Sequence, residues 1–151
     1  MSRSCSTSPA SIQFTAPTTR GRLRFAEPRA RADLVLWTRD TRVEVRAAAF
    51  ESLAHVGLDD RAAAMAIEGL ESGDPAVRAM AARALNGWTG SSEAASRLAR
   101  HLGDTWTVAV SAGRSLQSMG AAGLVELETA AARSDLAGLL ARQMLWERAE
   151  C

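Results

Sequence analysis

Few residues of this chain have the type and spacing for chemistry. His55 and His101 are the side chains that titrate near neutral pH. A histidine becomes a working base when a third group orients it, and neither ring has an acid or nucleophile marked out as its partner in the sequence. Asp59-Asp60 is the one adjacent acid pair, and helix capping accounts for it. No G-x-S-x-G, P-loop or G-x-G-x-x-G occurs. Cys5 and Cys151 stand at opposite ends, without metal-ligand spacing or a disulfide framework. The chain therefore reads as a non-enzyme, with no catalytic, metal or cofactor residues and no cofactor expected.

The spacing that does recur is of another kind. Val45-Arg46-Ala47-Ala48-Ala49-Phe50-Glu51-Ser52-Leu53 returns as Val77-Arg78-Ala79-Met80-Ala81-Ala82-Arg83-Ala84-Leu85. A fainter copy runs from Val108 to Leu116. Asp40, Asp74, Asp104 and Asp135 mark the joints between the copies. A fixed period of about 20–50 residues is the mark of stacked repeats, each unable to bury its apolar face alone.

The elements that carry these residues are helices. Alanine, the best helix former, supplies about a fifth of the 151 residues by count, and aromatic residues only 5%. Pro28 can open a first helix with Leu34, Leu36 and Trp37 inward as an N-terminal cover. Thr41-Arg42-Val43-Glu44 fits the S/T-x-x-E capping box. It starts a helix that buries Val45, Ala49, Leu53 and Val56 and stops at Gly57. Asp59 or Asp60 caps the return helix, with Ala63, Ala66, Ile67 and Leu70 inward. Asp74-Pro75 opens the second unit, with Val77, Ala81, Leu85 and Trp88 on its core face. Its partner helix, about 92–102, buries Ala95, Leu98 and Leu102. Asp104 opens the third unit, with Val108, Ala112, Leu116 and Met119 inward, and a helix over about 122–133 returns. Asp135 caps a last helix with Leu139, Leu140, Met144 and Trp146 inward.

Composition narrows the partner. Hydrophobic residues are 47% and charged residues 23%, a globular balance. Net charge is +1, so no overall basic field invites nucleic acid. All 18 basic residues are arginine, and they are scattered. No stretch approaches the ~18 apolar residues needed to span a bilayer. With only two distant cysteines, the cytoplasm is the expected compartment. Residues 1–27 lack periodicity and read as a flexible tail, and residues 28–150 as one repeat domain.

Asp74-Pro75-Ala76-Val77-Arg78 with Ala81, Ala84 and Leu85 resembles the repeat D-P-x-V-R-x-x-A-x-x-A-L of the HEAT-repeat family, in its short bacterial, phycobilin-lyase-like form. The likeness covers about residues 29–148. It implies an all-α fold, a right-handed α-solenoid of about three and a half stacked antiparallel helix hairpins. It also implies an Asp–Arg ladder between units, carried by Arg46, Asp74 and Arg78. Ala109 replaces the third arginine, so the third joint is expected to be weaker. Metal hydroxylases built from similar repeats use His-Glu pairs, and this chain has no His-Glu dipeptide.

In such arrays the second helices line the inner surface. Their outward positions are Arg61, Met65 and Glu68, then Glu93, Arg97, Arg100 and His101, then Glu126 and Arg133. This mixed-charge stripe suits a protein surface better than a polyanion. Trp106, just after Asp104, is the tryptophan expected to be exposed, whereas Trp37, Trp88 and Trp146 are expected to pack in the core. The expected function is a non-catalytic scaffold or adaptor binding another protein through this surface. The alternatives are an accessory subunit of phycobilin-lyase type and a HEAT-like nucleic-acid-binding protein.

Overall fold

A computed structural model describes residues 28–89 and 91–150, so the expected tail, 1–27, lies outside the described residues. These form α1 (28–37), α2 (Val43–Val56), α3 (Asp60–Gly69), α4 (Pro75–Ala84) and α5 (Ser92–Arg100). A 3-10 turn (His101–Gly103) follows, then α6 (Trp106–Ser118), α7 (Ala121–Ala131) and α8 (Leu136–Ala149). No strand occurs among the described residues. The helices α2, α4, α6 and α8 stack in succession as one layer. The return helices lie behind them, α3 against α4, α5 against α6 and α7, and α7 against α8. This is the stacked-hairpin solenoid that the repeat spacing implies.

The starts of the helices follow from local chemistry at most of the joints. Asp59 accepts the Ala62 N–H at 2.8 Å, Ser91 that of Ala94 at 3.1 Å, and Asp135 that of Gly138 at 3.0 Å. Asp74 accepts from Ala76 at 2.8 Å, with Pro75 in the first turn. Gly57, at φ +91°, ends α2 in a backbone conformation that a side chain would strain. The expected capping box at Thr41 does not form. The Asp40 carboxylate takes the Arg42 N–H at 2.9 Å instead and binds the Arg42 guanidinium as well. Asp40 is thereby held below the ordinary carboxylate range, chiefly by Arg42.

The core is built largely of alanine and leucine. Fully buried positions include Leu53, Leu70, Leu85, Leu98, Leu102, Leu116 and Leu127, with alanines packed between them. Small side chains let the helix axes approach, and interdigitation at that distance leaves little room for error. Two outer helices turn a different face inward from the one expected. α1 and the turn after it bury Leu34, Val35 and Thr38, while Leu36 and Trp37 face out. At about 100° per residue, Val35 and Thr38 lie beside Leu34, and Leu36 is rotated away. On α8 the buried set is Ala137, Gly138, Leu140, Ala141 and Met144. Leu139 and Trp146 are therefore on the far side, 59% and 55% exposed. Trp88 packs half-buried against the core. Phe50 is a further core residue, 2% exposed, that the aligned copies do not mark. Gly69 makes room for it, since a Cβ there would lie 2.6 Å from the Phe50 ring.

A Cβ on Gly123 would sit 1.8 Å from the Leu116 carbonyl oxygen, whereas one on Gly73 meets nothing within 4 Å. Gly123→Ala is therefore expected to destabilise by about 3 kcal/mol, the upper end of overpacking costs. Gly73→Ala is expected to be neutral or to stabilise by about 0.4–1 kcal/mol. Urea unfolding of the two variants beside the parent measures both.

Candidate functional site

The stripe of return-helix residues is set by the apolar spacing of α3 and α5. Burying Ala94, Ala95 and Leu98 of α5 turns Glu93, Arg97 and Arg100 outward. The same logic on α3 leaves Arg61 and Glu68 exposed. Several of these charges are tied across unit boundaries. Glu68 pairs with Arg39 at 3.2 Å. Arg97 bonds Glu71 at 3.1 Å and lies 3.8 Å from Glu93. These pairs are exposed, so each contributes about 1 kcal/mol at most. Arg61 and Arg100 make no ion pair among the described residues. Trp106 opens α6, 66% exposed.

Four members of the expected stripe sit differently, the first being Met65, half-buried against the core on α3. Glu126 is half-buried on α7. Arg133 lies beyond the end of α7, in the turn to α8, and pairs with Asp135. Asp135 is held below the ordinary carboxylate range by the Gly138 N–H and by Arg133. His101 is turned inward at the end of the return helix, its side chain only 14% exposed. Its Nδ1 lies 2.9 Å from Asp104 Oδ2. The ring does therefore have an acid partner, at i+3 across the 3-10 turn.

Asp104 is the centre of the best-built polar cluster among the described residues. Arg78 grips it with two bonds, Nε to Oδ2 at 2.9 Å and Nη2 to Oδ1 at 2.8 Å. The Thr105 N–H adds a third donor at 2.6 Å. The two side chains of the ion pair are 17% and 15% exposed. Arg78, then His101 and Thr105, hold the Asp104 carboxyl well below the ordinary range, and Asp104 raises Arg78 in return. The remaining edge of Arg78 donates from Nη1 to the Ser72 carbonyl at 2.9 Å.

Of the expected Asp–Arg ladder one rung forms among the described residues, Arg78 with Asp104 rather than Asp74. Asp74 is occupied as the cap of α4. Arg46 donates from Nη1 to the carbonyls of Asp40 and Thr41, at 2.9 and 3.1 Å, and binds no carboxylate among the described residues. At the third joint Ala109 is fully buried. Arg142 takes up the tie there, donating to the Ala131 and Arg133 carbonyls at 2.8 and 2.9 Å. Among the described residues no cluster of three His, Cys, Asp or Glu side chains could hold a metal ion, and no helix is long and apolar enough to cross a membrane.

A family model for HEAT repeats matches residues 31–119, more than half of the chain. No curated protein matches it.

Because the folded state lowers the Asp104 pKa from an ordinary 3.8, the cluster stabilises fully above that pH and loses its contribution as pH falls below it. Asp104→Asn is expected to cost about 1.5–3 kcal/mol at neutral pH, the worth of charged hydrogen bonds. It is also expected to flatten the acid limb of stability against pH. Denaturant melts of both proteins between pH 7 and pH 3 check the size and the slope.

Proposed function

The chain belongs to the HEAT-repeat family, and from that premise we propose that it acts as a non-catalytic scaffold for another protein. Its fold is of the kind that serves as a scaffold for protein interaction, and HEAT-repeat proteins are generally not enzymes. The surface proposed for binding is the one carried by α3 and α5, together with Trp106 at the start of α6. The observation that carries this reading is Trp106 itself. A large aromatic side chain stands 66% exposed at a unit boundary, where the return helix α5 hands over to α6; the return helices themselves carry Arg61 and Arg100, exposed and without an ion pair among the described residues. Tryptophan and arginine are the residue types that most often dominate the energy of protein interfaces. The alternation of acidic and basic side chains around them suits a folded or extended polypeptide of mixed charge better than a polyanion.

Trp106→Ala and Arg100→Glu both alter solvent-facing side chains, so each is expected to leave stability within about 0.5 kcal/mol of the parent. Together they are expected to weaken capture of the cognate protein at least tenfold, in line with loss of a hot-spot residue worth about 2 kcal/mol. Affinity capture from the source cells, quantified by mass spectrometry against the parent chain, measures this. Undiminished capture by the folded double variant would refute the assignment of this surface.

A further inference from the structure

The first and second joints are built on one plan, and one of them lacks its centre. Arg46 and Arg78 are equivalent, 32 residues apart, and each donates from Nη1 to the carbonyl six residues before it, Asp40 or Ser72. Leu70 and Leu102, also 32 apart, are fully buried just past the ends of the two return helices. The same offset sets Ser72 where the second joint has Asp104, and Gly69 where it has His101. Both groups that fill the second joint are therefore missing from the first. Phe50, equivalent to Ala82, explains the glycine, because its ring occupies the space of a Gly69 side chain.

A groove of about 320 Å³ lies at that place, with Arg46, Gly69 and Ser72 in its lining. The Nε and Nη2 edge of Arg46 has no partner among the described residues, whereas the same edge of Arg78 holds Asp104 in a two-pronged grip. The other charged groups of the lining are already engaged, Arg39 with Glu68 and Glu71 with Arg97. A guanidinium fork matches a carboxylate in plane and spacing.

We propose that this groove receives a carboxylate from a bound polypeptide, seated on Arg46 as Asp104 is seated on Arg78. The carboxylate is an Asp or Glu side chain or a chain's terminal carboxylate. This rests on the scaffold reading and adds to it the chemistry of the partner and the place where it anchors. The chain would then complete, with a residue of its partner, a rung that it completes for itself one unit later.

Three labelled peptides of glycine and serine test this by fluorescence anisotropy at low salt. One carries a central glutamate pair with an amidated end, one carries glutamines with an amidated end, and one carries glutamines with a free terminal carboxylate. Binding by the first or third and at least tenfold weaker binding by the second is expected, and the pattern tells side chain from terminus. Arg46→Gln is expected to abolish the difference. Ser72→Asp supplies the carboxylate from within, so it is expected to block the peptide and to raise the melting temperature. The rise shows that the blocked protein is folded. Equal binding of all three peptides, no binding of any, or peptide binding unchanged in Ser72→Asp would each overturn the proposal. Loss of partner capture in the Trp106 and Arg100 double variant, with capture intact in Ser72→Asp, would sink the groove and leave the scaffold reading standing.

Discussion

Close approach of helices through small side chains is the constraint on which the rest of this molecule depends. Alanines 81, 82, 94, 95, 109, 112, 137 and 141 are all buried, and glycines 123 and 138 sit against backbone with no room for a methyl group. At such distances each hairpin can settle on its neighbour in few ways. The register of one unit on the next is thereby set by the core. The arginine ties at the joints act within it. They satisfy carbonyls at helix ends that would otherwise lack partners, and they hold a spacing already dictated by the core.

This constraint also explains what the sequence discloses and what it hides. The period, the joint acids, the stop of α2 at Gly57, the start of α4 and the core leucines are legible because they depend on residues a few positions apart. Asp74-Pro75 before Val77 is a complete local instruction for a helix start. The facing of α1 and α8 is not legible in that way. Large apolar residues attract attention in a sequence, yet α8 packs on its alanines and leaves Leu139 and Trp146 outside. Helix packing rewarded closeness over bulk, and nothing in the local spacing of Leu139 reveals it.

The polar site shows the same division. That Arg46 and Arg78 would act at the joints could be read from their shared phrase. Which acid each would meet could not, since it depends on how far the return helix carries the chain. A 3-10 turn at His101–Gly103 brings Asp104 under Arg78, and a capping duty removes Asp74 from contention. His101 had a partner three residues away, but only the tightened turn joins them. The signal that could have found both was the offset of 26 residues from arginine to acid, which Arg46 meets with Ser72 instead.

The arrangement of the four tryptophans has a practical consequence for anyone following this protein by light. Trp37, Trp106 and Trp146 are each more than half exposed in the folded chain, so their indole rings already emit from water. Unfolding changes their surroundings little. Trp88, half-buried where the first two units meet, is the ring whose emission depends on tertiary packing. Intrinsic fluorescence of this molecule is therefore a local gauge of one joint, seen over a bright and nearly constant background. A global transition followed at that wavelength reports the opening of the first two hairpins, whatever the third is doing.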